Sequence, residues 1–343
     1  MRILAIGDPH FHVDNITESK QFTSSIDTYL TNNNVDCIVV LGDILHTHEK
    51  LHTDALNSAL SFFKMLISHN KHVFCLVGNH DATSNTIFLT QNHWLNVLKG
   101  WDGLTIVDYP IIYENLTLCP YVPEGRFIEA LSVLNDDWKK CNIVFAHQTL
   151  NGAKMGPIIS SNVEEWLDEY PLLISGHMHD KQKVKENLYY TGSSMQHSFG
   201  EGDDKSIALI TVEDGEVDIE EIYLTIRRKK ILYTTIEELS SVQEKINENP
   251  EIEFKIVIKG DDNDLKAIKK SNLYKETLNL DNVKDIKLKA EIKDDGKIKI
   301  LEDDFVECLQ SLIYNEENPY LSSLYEHVMY GKEDKSDKDV LFF

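Results

Sequence analysis

The stretch Val73-Phe-Cys-Leu-Val-Gly-Asn-His-Asp81 carries the pattern on which the fold depends. Its first half is a short apolar run, which is typical of a buried strand, and Gly78 joins that run to polar side chains. A glycine at this point lets the backbone turn sharply away from the strand. The stretch therefore predicts a strand that presents Asn79, His80 and Asp81 at its carboxyl end.

The same arrangement recurs along the first 180 residues of the chain. Five predicted strands end at His, Asp or Asn side chains, and they are Ile3–Ile6, Cys37–Leu41, Val73–Val77, Ile143–Phe145 and Leu172–Ile174. The polar residues that follow them are Asp8, His10, Asp43, His46, Asn79, His80, His147, His177 and His179. Ligands bind at the carboxyl ends of strands in open α/β sheets, so we expect these side chains to converge there.

Amphipathic segments separate the predicted strands. The apolar periodicity predicts helices over Asp54–Ser68 and near Thr86–Leu98, Gly125–Lys139 and Asn162–Asp168. Two further strands, Ser206–Val212 and Glu220–Ile226, follow. Alternating strands and helices predict an α/β class, with layered sheets flanked by helices, over residues 1–230.

The pattern changes after the basic run Arg227–Lys230. Strands at Phe254–Lys259 and Ile286–Ile292, with a helix near Asp264–Lys270, predict a small α+β capping domain over residues 231–301.

Two amphipathic segments, Phe305–Ile313 and Leu321–Met329, then predict a helix–loop–helix over residues 302–330. These helices either pack on their own domain or dock a coiled coil of a partner, and the sequence favours neither. Residues 331–343 form a charged tail.

The composition limits the classes of protein. The 343 residues include 57 acidic and 34 basic ones, which give a net charge of −23, and 42% are hydrophobic, as in folded soluble proteins. Such acidity argues against a protein that grips nucleic acid by bulk charge. The five cysteines form no C-x-x-C pair, and neither a signal peptide nor an apolar run of roughly 18 residues is present. We therefore expect a soluble, intracellular protein without a membrane segment.

The ligand types at the strand ends indicate the metal. Carboxylate, amide oxygen and several imidazoles, without thiolate, suit Mn, Fe or Zn better than Ca or Mg. The number of candidate ligands exceeds what one ion needs. A carboxylate such as Asp43 can bridge two cations about 3.5–4 Å apart, the spacing of two-metal phosphoryl-transfer sites. The pattern thus predicts a two-metal centre.

Together these motifs resemble the calcineurin-like metallophosphoesterase superfamily, whose motifs are D-x-H, G-D-x-x, G-N-H-D/E, a lone His and G-H-x-H. All five stand here in that order. Within the superfamily the sequence is similar to the SbcD branch, the nuclease subunit of a DNA break-repair complex. Three stretches carry that likeness, namely Gly42–His46, Phe145–Gly152 and Tyr190–Phe199. The resemblance covers residues 1–230, and the chain is close in length to phage and viral members.

The resemblance implies a role for each motif residue. One ion would be held by Asp8, His10, Asp43 and His179, and the other by Asp43, Asn79, His147 and His177. The ions would be Mn²⁺, with Mg²⁺ or another transition metal as alternatives, and an activated water would hydrolyse the phosphodiester. His80 would contact the phosphate and stabilise or protonate the leaving oxygen, Asp81 would orient the His80 ring, and His46 would be a second phosphate contact. His12 and His197 are further candidate substrate contacts.

The resemblance also implies partners. DNA would be the substrate, and an SbcC-like ABC-type coiled-coil ATPase would work with the nuclease. A homodimer would form through the helices predicted over Asp54–Ser68 and near Thr86–Leu98. Acting alone, so acidic a subunit should hold DNA weakly and with strong salt sensitivity.

Two other functions stay open at this stage. The metal motifs equally suit a metallophosphatase or phosphodiesterase acting on nucleotides or phosphoproteins. A non-catalytic scaffold that keeps the fold is the third alternative, and the complete ligand set argues against it.

Overall fold

The computed structural model describes residues 1–48, 50–156 and 158–290. The predicted helix–loop–helix over 302–330, the charged tail over 331–343 and the end of the predicted capping domain over 291–301 lie outside the described residues. The strands, in chain order, are β1 Arg2–Ile6, β2 Cys37–Val40, β3 His72–Leu76, β4 Leu104–Val107, β5 Ile111–Tyr113, β6 Leu116–Leu118, β7 Ile143–His147, β8 Lys154–Met155, β9 Ile158–Ile159, β10 Leu172–Gly176, β11 Gln182–Lys185, β12 Leu188–Tyr190, β13 Ser206–Glu213, β14 Glu216–Tyr223, β15 Arg228–Thr235, β16 Ile252–Gly260 and β17 Val283–Ala290. The helices are α1 Ile16–Asn32, α2 Thr53–Ser68, α3 Phe127–Leu131, α4 Leu239–Asn247, α5 Asp262–Ile268 and α6 Asn272–Leu278.

Two six-stranded sheets build the first part of the chain. The first has the order β14-β13-β1-β2-β3-β4 and the second the order β11-β12-β10-β7-β6-β5. Strands β1 to β4 run parallel in the first sheet, and β6, β7, β10 and β12 run parallel in the second. The α/β class with layered sheets is therefore confirmed, and the carboxyl ends of the parallel strands carry the predicted ligands.

Alternation along the strands fixes the layers. In β1, Ile3 and Ala5 face an apolar layer that also contains Phe145 and Ile174 of the second sheet. Leu4 and Ile6 face the opposite side, where they share a core with α1 and α2. Both faces of β1 are thus buried, which explains why this strand reads as a continuous apolar run.

Helix α1 was not predicted, although an apolar stripe marks it. Phe22, Ile26 and Leu30 recur every four residues and are buried against the first sheet. Serine and threonine side chains along the helix donate hydrogen bonds to carbonyls one turn back, as Thr23 does to Ser19 at 2.9 Å. These residues have low helix propensity, so the helix depends on its buried stripe.

Three predicted helices differ from the structure. Thr86–Leu98 contains only a 3₁₀ helix at Trp94–Leu98, and Asn162–Asp168 forms no helix. The segment near Gly125–Lys139 holds the short α3 and two 3₁₀ turns, because Asn135 takes a left-handed φ of 53°. In the first case polar side chains bond to neighbouring backbone groups and compete with the helix, as Thr90 Oγ1 does by accepting from Asn92 N at 3.1 Å.

A third sheet follows the first two. It has the order β15-β16-β17, all parallel, with α4, α5 and α6 in the connections. Strand β15 begins at Arg228, so the basic run Arg227–Lys230 already belongs largely to this sheet. Among the described residues, no helix combines the length and apolar character that crossing a membrane requires.

Candidate metal centre

The loops after β1, β2, β3, β7 and β10 bring the predicted ligands to one place at the edge of the two large sheets. The side chains are withdrawn from solvent to different degrees. Asp8, His10, Asp43, Asn79 and His147 are buried, whereas His177 and His179 are partly exposed. Such a concentration of buried polar groups calls for partners other than water.

One group of donors surrounds His147. Its Nε2 lies 2.9 Å from Asn79 Oδ1, 3.2 Å from His177 Nδ1 and 3.3 Å from Asp43 Oδ2. His177 Nδ1 also lies 2.9 Å from Asn79 Oδ1. Four atoms that can each hold a divalent cation therefore converge on one point.

A second group lies on the other side of Asp43. His10 Nε2 is 3.5 Å from Asp43 Oδ2 and 3.1 Å from His179 Nε2. The Asp8 carboxylate accepts from His177 N at 2.9 and 3.1 Å and lies 3.8 Å from His147 Nδ1, so residues of the first group hold it in place. Asp43 is common to both groups, which is the arrangement that a bridging carboxylate requires.

The backbone at these ligands is strained. Asp8, His10, Asp43 and His177 have φ values of 41°, 42°, 51° and 79°, in the left-handed region that residues with a Cβ rarely adopt. Each such residue costs of the order of 1–3 kcal/mol and persists only where the surrounding structure enforces it. The concentration of this strain at four converging side chains makes this place the candidate functional centre.

Gly78 keeps room for the shared carboxylate. A Cβ added at Gly78 would collide with Asp43 Oδ1 and with the Asp43 backbone nitrogen. A side chain there would displace the group that both donor sets share.

The donor set fits two divalent cations. It offers imidazole, carboxylate and amide oxygen without thiolate, and it falls into two groups that share one carboxylate. Comparison with known proteins agrees, since the family model for calcineurin-like phosphoesterase matches residues 1–181, more than half of the chain.

The chain belongs to the calcineurin-like phosphoesterase family. Two viral proteins show the same relationship over most of their length. "Putative phosphoesterase 078R" of Invertebrate iridescent virus 3 is 39% identical over 282 residues, which cover 80% of this chain and 81% of the relative. "Putative phosphoesterase 244L" of Invertebrate iridescent virus 6 is 40% identical over 282 residues, which cover 79% of this chain and 98% of the relative.

Membership of the calcineurin-like phosphoesterase family establishes the general chemistry. Members hydrolyse phosphoesters with divalent metals, and this chain has clusters of potential ligands for them. Phosphoester hydrolysis is therefore the activity of the protein, and this centre is the candidate site for it.

Mutual charge controls the protonation of the centre. Burial disfavours a charged His147 ring, but the Asp43 and Asp8 carboxylates outweigh it and raise the pKa of His147 to about 9. Burial also opposes the ionisation of Asp43, yet His147 and His10 hold the pKa of that carboxyl well below its usual range. Burial raises the pKa of Asp8 to about 6 against the attraction of His147.

These pKa values predict that metal binding releases a proton from His147. An imidazole ligand must be neutral, so below pH about 9 the metal competes with the His147 proton. The affinity for Mn²⁺ should rise roughly tenfold per pH unit from pH 7 towards 9, and protonation of Asp8 should weaken binding further below pH about 6.

Isothermal titration in two buffers of different ionisation enthalpy would count the released protons directly. His52→Gln, at an exposed histidine before α2, serves as the control and should show the wild-type slope. An affinity independent of pH between 7 and 9 would contradict the prediction.

The His80 ring lies beside the shared carboxylate. One ring nitrogen lies within 4.8 Å of ligand atoms of His10 and Asp43. Its backbone N donates to Asp43 Oδ1 at 2.8 Å, and its Nδ1 lies 2.6 Å from the carbonyl oxygen of His46. Burial lowers the pKa of His80, so the ring is neutral until a negative group approaches.

The role predicted for Asp81 needs correction. The buried Asp81 carboxylate accepts from Gly78 N, Ile44 N and Trp94 Nε1, each at 3.0 Å, and so it holds the two ligand loops together. We predicted that Asp81 orients the His80 ring, but the His46 carbonyl orients it instead. The reason is local, since the Asp81 side chain points back beneath its own turn to the Gly78 N–H.

The other predicted substrate contacts surround the centre unequally. His46 is exposed, and its ring lies 5.4 Å from His10 and 5.1 Å from His12, centre to centre. His12 caps the short 3₁₀ helix Val13–Asn15. His197 is close to His10, at 4.8 Å between ring centres. His46 and His197 therefore lie next to His10, whereas His12 lies behind His46.

Sequence reasoning gave little or no weight to several neighbours of the centre. His48, to which the sequence analysis gave no role, stacks on His80 with ring centres 4.2 Å apart. Glu201 lies 3.8 Å from His179 Nδ1, and Tyr121 faces His177 at 5.8 Å between ring centres. No spacing rule distinguishes Glu201 or Tyr121 from other acids and tyrosines, since their position depends on loop geometry.

Proposed function

We propose that the protein is a Mn²⁺-dependent DNA nuclease, the nuclease subunit of an SbcCD-like repair or recombination complex. Asp8, His10, Asp43 and His179 would hold one ion, and Asp43, Asn79, His147 and His177 the other. Bound there, the ions would act as Lewis acids towards a phosphoryl oxygen and lower the pKa of water towards neutrality. The His80 ring, whose orientation the His46 carbonyl fixes, would face the phosphate.

The observation that carries the proposal is a cleft beside the centre. It measures about 530 Å³ and opens between the loop that follows β12 and the third sheet. His197, which contacts the centre, forms one wall, and Phe199, Lys229, Lys255 and Lys284 line the remainder together with acidic side chains. An aromatic ring with lysines next to a phosphoester centre suits a polymer with both bases and phosphates.

The cleft is firmly built. Gln196 joins its two walls, since its Oε1 accepts from Lys229 N at 2.7 Å and its Nε2 donates to Lys229 O at 3.2 Å. Lys255 Nζ lies 5.9 Å from the centre of the Phe199 ring. A strand of nucleic acid in this cleft would have a fixed path towards the ions, which a small phosphoester would not need.

Cleavage assays with a charge reversal in the cleft test the proposal. With Mn²⁺ the wild type should cleave linear DNA and also a small phosphodiester such as bis-p-nitrophenyl phosphate. Lys255→Glu should lower the catalytic efficiency on DNA about tenfold and reduce the salt slope by about one, while the small substrate is cleaved as before. Lys266→Glu, at an exposed lysine of α5 outside the cleft, is the matched control.

The alternative substrates give distinct outcomes. Rapid cleavage of small phosphodiesters or phosphopeptides without any cleavage of DNA would contradict the nuclease proposal and favour a phosphatase or phosphodiesterase. Equal losses on DNA and on the small substrate in Lys255→Glu would remove the cleft from the substrate path.

The assembly is proposed on the sequence resemblance alone. The homodimer was predicted to use the helices over Asp54–Ser68 and near Thr86–Leu98, but the second segment holds only a short 3₁₀ helix, so α2 would be the main contact. Leu60 of α2 is half-buried, whereas Phe63 and Leu98 are buried within the chain's own core. Light scattering at micromolar concentration measures the dimer. Copurification with a coiled-coil ABC-type ATPase, where one is encoded beside this chain, tests for the ATPase partner.

A further inference from the structure

His197 adds a third imidazole to one side of the centre. It lies in the loop that follows β12, about 190 residues along the chain from Asp8 and His10. One ring nitrogen from each of His10, His179 and His197 falls within 4.8 Å of the other two. The ring centre of His197 is 4.8 Å from that of His10 and 5.2 Å from that of His179.

The ring is held from several directions. Its Nε2 lies 3.0 Å from the backbone oxygen of Asp8, and the backbone N of His197 donates to Glu201 Oε2 at 3.1 Å. The loop itself is fixed to the first sheet because Ser194 N donates to Gly7 O at 2.9 Å. The imidazole therefore keeps its place without a ligand, and binding one would cost little conformational entropy.

One nitrogen of this ring has no partner. When Nε2 donates its proton to the Asp8 oxygen, Nδ1 carries the lone pair, and Nδ1 is buried without a hydrogen bond among the described residues. A buried acceptor without a partner is rare and requires a reason. A metal-binding imidazole ordinarily binds through one nitrogen while the other donates to a carbonyl or carboxylate, and His197 has the partner for the second bond.

We propose that His197 is an additional ligand, through its unpartnered Nδ1, for the ion assigned to Asp8, His10, Asp43 and His179. Three imidazoles at one position favour transition metals over Mg²⁺, so the residue would also set metal selectivity. This inference rests on the proposed ligand set but not on DNA as the substrate.

Titration of the full chain with Co²⁺, followed by absorption spectroscopy and elemental analysis, tests the inference. The wild type should bind two equivalents of Co²⁺. In His197→Gln one equivalent should remain tight and the other should weaken at least about tenfold, with a changed visible spectrum, whereas Mg²⁺ binding should change much less. His52→Gln is the matched control, and melting of the chelator-treated variants checks that the fold is intact.

Two results would overturn the inference. Glutamine can still donate to the Asp8 carbonyl, so wild-type Co²⁺ affinity in His197→Gln together with weakened affinity in His197→Ala would make His197 a positioning residue only. Wild-type affinity in both variants, with a raised KM for DNA, would make it a substrate contact. A wild type that binds two Co²⁺ and never cleaves DNA would contradict the proposed function and leave this inference standing.

Discussion

Replacing Asp43 with asparagine should abolish hydrolysis and remove tightly bound metal. The Oδ2 atom of Asp43 is within 3.5 Å of both His147 Nε2 and His10 Nε2, so one carboxylate serves both donor groups. Asparagine keeps the shape but carries no charge, so the set with Asn79, His147 and His177 loses its one carboxylate and the other set keeps only that of Asp8. Loss of Lewis-acid stabilisation worth several kcal/mol corresponds to a fall in rate of about 10³-fold or more.

Metal-dependent stability gives a second measurement on the same variant. A ligand present at 100 times its dissociation constant stabilises a protein by about 2.7 kcal/mol per site. The wild type should therefore melt at a clearly higher temperature with Mn²⁺ than with a chelator, and Asp43→Asn should show almost no difference. Asp102→Asn, an exposed aspartate, is the matched control and should respond like the wild type.

A different outcome would identify a different centre. If Asp43→Asn kept two equivalents of metal and lost only turnover, Asp43 would not bridge the ions. Loss of only one equivalent of metal would mean that Asp43 belongs to one donor group and not to both.

The five strands that carry the candidate ligands could be predicted because they are buried on both faces, whereas β4, β5, β6, β11 and β12 were not predicted. Continuous apolar runs such as Cys37–Val40 have no amphipathic alternative, and a glycine or polar turn ends most of them. The same turns carry the ligand side chains. Predicting the strands therefore also predicted where the functional residues converge.

The helices were harder to predict because their sequences are polar. The Phe22, Ile26 and Leu30 stripe of α1 stands among serine, threonine and asparagine residues, which lower the helical propensity of the segment. The reverse error occurred at Thr86–Leu98, where spaced apolar residues suggested a helix. There the pairing of Thr83 N with Asn92 O at 3.2 Å holds a loop instead.

At the site, motif spacing identified the residues that converge but not every contact between them. The G-N-H-D pattern placed Asp81 next to His80 in sequence, yet its carboxylate bonds to Gly78, Ile44 and Trp94. The His46 carbonyl that fixes the ring is a backbone atom, which has no sequence signature. Contacts made by backbone groups and by long loops follow from the folded geometry.

Replacing His80 with alanine should lower DNA cleavage by 10²–10⁴-fold and leave metal binding unchanged. The contact from His80 to Asp43 is made by the backbone N, at 2.8 Å, and alanine preserves it. What the substitution removes is the ring. Because burial lowers the pKa of His80, the ring would gain its proton only beside the negative phosphate, where it can then stabilise or protonate the leaving oxygen.

The leaving group separates the two possible actions of the His80 ring. A p-nitrophenolate departs without a proton, whereas the sugar oxygen of DNA needs one. If His80 donates that proton, His80→Ala should lose most of its activity on DNA and little on bis-p-nitrophenyl phosphate. Equal losses on both substrates would mean that the ring only binds phosphate. In that case His48→Ala, which removes the ring stacked on His80 at 4.2 Å, should lower the cleavage of both substrates by a smaller factor. Full activity of His80→Ala on DNA would exclude both actions of the ring.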